Sequence, residues 1–315
     1  MKARKHTMAK VFIDGSAGTT GLRIHERLAA REDVSLIILP DEIRKDPAAR
    51  ADALNSCDIA FLCLPDAAAI EAVSLLTNPN TALIDTSTAH RTNPDWAYGF
   101  PEIGTLREKI ASSKRIGNPG CHASGFIALV QPLIAEGLVS ADTALTCFSL
   151  TGYSGGGKKM IAEYEGEGRD TLLDAPRQYG ITQQHKHLKE MVHLTGVSVA
   201  PAFCPIVAPF YAGMEVTVPL FKKDLKGTVA DIKALYAAKY SSKLVHFNDP
   251  ADEAGFLSAG AYAGRDDMEI SVAGNEERIL LTARYDNLGK GASGAAIQNM
   301  NILLGVDETT GLVVG

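Results

Sequence analysis

The sequence predicts an α/β protein. A parallel sheet flanked by helices occupies residues 1–120, and a second domain on a mixed or antiparallel sheet follows over 121–289, with a last helix within 290–315 returning to the first. Three observations predict this: strands and helices alternate through residue 87, a glycine-rich turn joins the first strand to the first helix, and beyond residue 120 the strands lengthen while helices thin out.

The elements follow in order. "KVFIDG" (10–15) is a short apolar strand and "AGTTGLRIHERLAA" opens a helix. "VSLIILP" (34–40), "DIAFLCLP" (58–65) and "TALIDTS" (81–87) are further strands, separated by the helical "PAARADALNS" and "DAAAIEAVSLLT". Continuously apolar strands between helices imply a parallel sheet covered on both faces. Later strands are "TALTCFSLTG" (143–152), "VSVAPAFCPIVAP" (197–209), "GMEVTVPLF" (213–221), "MEISVAG" (268–274) and "RILLTARYD" (278–286). The helix "GKGASGAAIQNMNILLG" follows them, with small residues on one side.

Composition narrows the function. The chain has 315 residues, 46% hydrophobic and 22% charged, as in an ordinary soluble protein. A net charge of −6 and 6% aromatic content argue against a nucleic-acid partner. No segment approaches a membrane span, and the basic start carries no apolar leader, so the expected compartment is the cytoplasm. Either Met1 or Met8 begins the native chain, the latter making residues 1–7 an extension. The cysteines are Cys57, Cys63, Cys121, Cys147 and Cys204; they are odd in number, widely spaced and without a CxxC pair, so neither a disulfide framework nor a metal site is expected. Four lie in or beside apolar strands and read as core.

Cys121 is different. In "RIGNPGCHASGF" it follows a Pro-Gly break and precedes a helical run, at a helix N-terminus. Unpaired N–H groups and the helix dipole favour a thiolate there. Gly15, Gly18 and Gly21 of "DGSAGTTG" have GxxGxxG spacing, which lets backbone N–H groups approach a pyrophosphate; Ser16, Thr19 and Thr20 share that loop. Asp41 would bind ribose hydroxyls of NAD, whereas Arg44 and Lys45 would hold the extra phosphate of NADP.

"GYSGGGKK" (152–159) nearly matches a P-loop but lacks the final hydroxyl residue, so nucleotide-triphosphate chemistry is a poor reading. It is either an anion-binding loop with Ser154 and Lys158 or a connector. In "QQHKHLKEM" (183–191), His185 and His187 diverge if helical, so at most one would face a site, whereas both could from an extended segment. Glu190, three residues after His187, could orient that imidazole. A thiol with a downstream histidine forms a nucleophile and acid–base pair. "TSTAHR" (86–91) offers Ser87 and Arg91 as substrate contacts, or is a plain loop.

With the glycine loop, "GNPGC" (117–121), "TGYSGGGKK", the H-x-H-x-x-E and "DNLGKGASGAAIQNMN" (286–301) in this order, the chain resembles the short form of the N-acetyl-gamma-glutamyl-phosphate reductase family over essentially its whole length. His122 stands where the long form usually has an aromatic residue, and Ser124 where it has threonine. The resemblance implies a Rossmann-type nucleotide domain and an α+β catalytic and dimerisation domain. It also implies NADP as cofactor and assembly as a homodimer or homotetramer. In the activity it implies, Cys121 attacks an acyl phosphate, inorganic phosphate leaves, the thioacyl group is reduced and a histidine protonates the oxyanion; Glu190 at three residues' distance favours His187 as that acid–base with His185 beside the substrate, and the reverse assignment stays open. A sibling dehydrogenase for aspartyl phosphate and a non-catalytic NADP sensor are the competing readings.

Overall fold

The chain begins its first strand within residues 8–315, the part that the computed structural model describes; the question of residues 1–7 lies outside the described residues. The strands and helices of its first part are β1 (Ala9–Asp14), α1 (Thr19–Leu28), β2 (Val34–Ile37), α2 (Pro47–Ser56), β3 (Ile59–Leu62), α3 (Asp66–Ser74), β4 (Ala82–Asp85), β5 (Ala97–Tyr98), α4 (Leu106–Ser112) and β6 (Arg115–Gly117). Local chemistry sets several of these boundaries. Pro47 opens α2 behind Asp46, whose carboxylate accepts from the Ala48 N–H at 3.0 Å. β3 and β4 are buried along their whole length, as their apolar runs require, and the buried Asp85 that ends β4 is hydrogen-bonded by Ser87.

The strands pair in the order β2-β1-β3-β4-β6-β5, all in parallel. From β1 the chain goes first to one neighbour, then to the other. The crevice beyond the ends of β1 and β3 is therefore a topological switch point, where such sheets bind ligands.

The second part consists of α5 (Cys121–Ala135), β7 (Thr146–Gly152), α6 (Gly157–Glu165), β8 (Arg177–Gln178), α7 (His187–Thr195), β9 (Ala202–Ala208), β10 (Met214–Phe221), α8 (Val229–Lys239), β11 (Val245–Phe247), β12 (Met268–Gly274) and β13 (Arg278–Tyr285). Its strand order is β11-β12-β13-β10-β7-β9-β8, with β11/β12 and β7/β9 parallel and the other pairs antiparallel, so the sheet is mixed. Alternation along β10 buries Met214, Val216, Val218 and Leu220 on one face only. α5 is buried almost throughout, and the hydroxyl of Tyr240, just past the end of α8, donates to its Ala128 carbonyl at 2.6 Å.

Two compact units result. One comprises the chain to Pro101, Thr105–Asn118 and Ala295–Leu312; the other comprises Glu102–Gly104, Pro119–Gly294 and Val313–Gly315. The chain thus passes to its second unit at Pro119, slightly before residue 120. The last helix, α9 (Gly294–Leu304), places Ala296, Ile297 and Met300 in the core of the first unit with Val11, Ile13, Ile84 and Ile116. The residues before it, Gly289–Ser293, form a π-helical turn belonging to the second unit, and so do the last three residues of the 290–315 segment.

The cysteines divide less simply than expected. Cys57 and Cys147 are buried, but Cys63 and Cys204 are only half-buried. Cys204 pairs in register with Phe148, which is exposed, so it lies on the open face of the second sheet.

Candidate active site

Cys121 is the first residue of α5, behind a Gly120 N-cap that offers no side chain to the helix's leading N–H groups. The opening turn is tied down from several sides. The Tyr285 hydroxyl at the end of β13 accepts from the Gly125 N–H at 3.0 Å and donates to the Cys121 carbonyl at 2.5 Å. Glu190 accepts from the Gly120 N–H at 3.1 Å. Gly291, in the π-helical turn, lies so close that a Cβ there would come within 3.0 Å of the Cys121 Cβ. This close approach is the physical reason for glycine at position 291.

Both sequence-selected histidines reach one cluster. His187 opens α7 and is buried, whereas His185 stands in the loop just before that helix. The divergence expected of two such residues on a regular helix therefore does not apply. Their ring centroids are 4.7 Å apart, and the His122 ring lies 5.7 Å from His185 and 5.5 Å from His187. Glu190 Oε1 is 3.8 Å from His187 Nε2, so one carboxylate touches both the Pro-Gly turn and the imidazole.

The His187 N–H donates to His185 Nδ1 at 3.2 Å, which leaves the His185 proton on Nε2. Burial, helped by the Lys186 charge, pushes His185 down to about 4, so the ring is neutral at pH 7.

Other residues of the cluster carry no motif. Tyr179 and Ser149 hydrogen-bond the two nitrogens of His122, each at 2.6 Å. Phe203 packs edge-on against His122 and His185. Gln183 adopts a positive φ of 57° and pairs its amide with the Phe203 backbone, accepting from its N–H at 2.8 Å and donating to its carbonyl at 2.7 Å. That pairing anchors the loop carrying Tyr179 and His185. Only the His122 position showed in the sequence, as a departure from the long form.

The remaining candidates are placed as follows. Ser154 is buried and accepts from Asn287 Nδ2 at 2.9 Å, while Lys158 is exposed on α6. Ser87 and Arg91 belong to the first unit. The Ser87 hydroxyl donates to Asp85, and Arg91 donates to the Asn118 and Thr86 carbonyls at 2.8 and 2.9 Å. Both side chains are buried holding the ends of strands.

The first unit contains a cavity of about 620 Å³ at its switch point, lined by Gly15, Ser16, Gly18, Asp41, Arg44 and Lys45 among others. Gly15 has φ +89°, and a Cβ there or at Gly21 would collide with backbone oxygens at 2.3 and 2.4 Å. These two glycines close the turn. Gly18 differs, because its backbone suits any residue and a Cβ would meet nothing nearer than 3.4 Å. As the N-cap of α1 it makes no side-chain bond, and the buried Thr19 hydroxyl beside it has no hydrogen-bond partner among the described residues. Thr20 shares that first turn of α1, followed by the buried Gly21. An uncapped helix start, an unsatisfied hydroxyl and a glycine lining the cavity fit a dinucleotide pyrophosphate. Asp41 and Arg44 form an exposed pair at 3.2 Å. Among the described residues no group of histidines, cysteines and carboxylates is arranged to hold a metal ion, and no helix is long and apolar enough to cross a membrane.

Comparison with known proteins agrees with this layout. Residues 121–287 match the semialdehyde dehydrogenase dimerisation domain, and residues 40–113 match the semialdehyde dehydrogenase NAD binding domain. N-acetyl-gamma-glutamyl-phosphate reductase 2 of a Nostoc species is 43% identical, over 96% of this chain and 99% of its own. The corresponding reductase of Brucella ovis is 45% identical over 94% and 99%. The chain belongs to the N-acetyl-gamma-glutamyl-phosphate reductase family. In fold, this reductase-family chain is similar to aspartate semialdehyde dehydrogenase II of Vibrio cholerae, with a TM-score of 0.72 and 17% identity over 95% of this chain and 98% of that one.

Proposed function

We propose that the protein reduces N-acetyl-γ-glutamyl phosphate to the γ-semialdehyde and inorganic phosphate, with NADPH as reductant, in arginine biosynthesis. The carrying observation is one cluster that holds a cysteine at a helix start, two histidines and a carboxylate touching both the turn and an imidazole. In this reading the Cys121 thiolate attacks the acyl carbon, the carbon–oxygen bond to phosphate breaks, and phosphate leaves with the electron pair. NADPH, when held by the glycine loop, would supply the hydride that reduces the resulting thioester. His187 then protonates the carbonyl oxygen, with the His185 Nε2–H as a hydrogen-bond donor beside it. Return of that proton to His187 re-forms the carbonyl as the carbon–sulfur bond breaks, which regenerates the thiolate. Ser154, Lys158 and Glu190 are the residues of the second unit assigned to substrate recognition and its support.

The test is phosphate-dependent reduction of NADP by N-acetylglutamate semialdehyde. Turnover with aspartate semialdehyde instead would assign the protein to the sibling activity.

The Gly15–Gly21 loop, Ser16, Thr19 and Thr20 hold the pyrophosphate in this scheme, and Arg44 with Lys45 holds the phosphate that distinguishes NADP. Gly18→Val should fold normally and weaken NADPH affinity about tenfold or more, ~1.4 kcal/mol, in a fluorescence titration. Unchanged affinity would show that the loop is only structural.

The oligomer forms, in our reading, through the open face of the second sheet. Register puts Phe148, Leu150, Ile206, Pro219 and Leu280 on that face, with Phe148 45% and Leu280 41% exposed. The same register puts Glu215, Thr217, Thr282 and Arg284 on this face, and a sheet face that mixes exposed apolar with polar side chains suits a two-fold contact with a second copy. Phe148→Glu should convert a homodimer to monomer, or a homotetramer to a smaller species, by light scattering; an unchanged mass would move the interface elsewhere. The reading takes a reducing cytoplasm as the compartment, with which free thiols at Cys57, Cys63, Cys121, Cys147 and Cys204 are compatible.

A further inference from the structure

A buried ion pair borders the cavity of the first unit and has no part in the scheme above. Asp14 is the last residue of β1 and Arg50 stands near the start of α2; both are buried and both line the cavity. The Arg50 guanidinium donates to Asp14 Oδ2 from two nitrogens, at 3.0 and 2.9 Å, and to Oδ1 at 3.3 Å. Its remaining terminal nitrogen donates to Glu71 Oε2, on α3, at 3.0 Å. Among the described residues no other group donates to the Asp14 carboxylate.

NADPH and NADH differ by a single phosphate, which carries about −1.5 to −2 charges near pH 7. Their relative affinity therefore reports the charge that the cavity presents. Sheets of this kind that select NAD hold the ribose hydroxyls on a carboxylate close after the second strand. Here the apolar Ile38 and Leu39 follow β2, and Asp41 is exposed and paired with Arg44. The buried carboxylate of the cavity wall is Asp14. Unpaired, it would accept from ribose hydroxyls and repel the phosphate. Arg50 removes both effects, because it engages both carboxylate oxygens and cancels their charge. With it, the cations Arg44, Lys45 and Arg50 outnumber the carboxylates Asp14 and Asp41 along the cavity lining; without it the two signs balance. Lys45 is exposed and Arg44 partly so, which leaves their fields weakened by water and salt, whereas Arg50 is buried and held from two sides.

We propose that Arg50 determines the preference for NADPH over NADH by neutralising Asp14 in the wall of the cavity. The inference rests on NADP being the cofactor. Arg50 is in this account a positioning residue: it acts through Asp14, and Glu71 holds the far side of its guanidinium.

Fluorescence titrations of NADPH and NADH with the purified full-length protein test this, with affinity as the readout and turnover playing no part. Burial, the larger effect, pushes the Asp14 carboxyl up although Arg50 pulls it down, so the titrations are run at about pH 8, far above the carboxylate range. Arg50→Gln should lower the NADPH-over-NADH affinity ratio by about tenfold or more. An unchanged ratio, including equal weakening of both cofactors, would overturn the proposal and make the pair a structural link only. Asp14→Asn decides the question where Arg50→Gln fails to fold, because Arg50 keeps Glu71 as a partner and no charge is stranded. It should raise the ratio by about threefold or more, since the guanidinium then faces the cavity without Asp14 against it. A ratio at or below wild type would overturn the proposal. Combining Asp14→Asn with Arg50→Gln makes the pair neutral again, and the ratio should return to within about threefold of wild type. A ratio as low as in Arg50→Gln alone would show that Arg50 meets the phosphate directly, which overturns neutralisation as its role. Failure of the cofactor reading looks different: the unsubstituted protein would then bind NADH as tightly as NADPH.

Discussion

Cys121→Ser is expected to lower turnover by about 10³-fold or more while leaving NADPH affinity unchanged. A serine hydroxyl at the same helix start keeps the geometry but loses the acidity, because the helix dipole can favour an anion only where a proton is readily lost. Cofactor affinity should persist, because the glycine loop belongs to the first unit and Cys121 to the second. The other thiols provide an internal control. Desolvation pushes Cys57 and Cys63 up to about 12, and Cys147 higher still, so they remain protonated and unreactive near neutral pH. Serine at those positions should change the melting temperature, not kcat. Stopped-flow and steady-state assays of the variants, with a titration of NADPH, check the whole pattern. Wild-type turnover in Cys121→Ser would remove thioacyl chemistry from the mechanism.

What could be seen in the sequence depended on range. Elements whose hydrophobic pattern repeats locally, such as β3, β4 and α5, were legible because their burial follows from adjacent residues. The two-residue strands β5 and β8 were not, since so short a stretch has no periodicity; their partners β6 and β9 define them. α8 carries a local mark, the capping box of Thr228 and Asp231, but its apolar residues line up on no one face, so periodicity does not define it.

The same division runs through the site. Cys121 announced itself through Pro119 and Gly120, a purely local turn. Tyr179 and Ser149 meet His122 across 57 and 27 residues of chain, and Tyr285 meets Cys121 across 164, so only the folded sheet reveals them. The spacing of His185 and His187 implies divergence on a helix and allows convergence from an extended segment. The helix starts at His187, so the two rings are free to converge.

That convergence sharpens the second large effect. His185 is held neutral, with Nδ1 occupied by the His187 N–H, so it can offer a hydrogen bond through Nε2 but accepts a proton poorly at pH 7. His187 has a carboxylate at 3.8 Å, and an adjacent negative charge stabilises the imidazolium that a proton-holding group must become. The expected result is therefore asymmetric. His187→Asn should lower kcat by about 10²–10⁴-fold, the usual contribution of a general acid–base group. His185→Asn should act chiefly on KM, since it removes a donor and leaves the proton carrier. Glu190→Gln should fall between them: its amide can still meet the turn at Gly120, but the charge beside His187 is gone. Steady-state kinetics across pH, with melting temperatures to confirm folding, separate these outcomes. A larger kcat loss at His185 than at His187 would exchange the two roles, and a small effect at both would place the proton donor outside this pair.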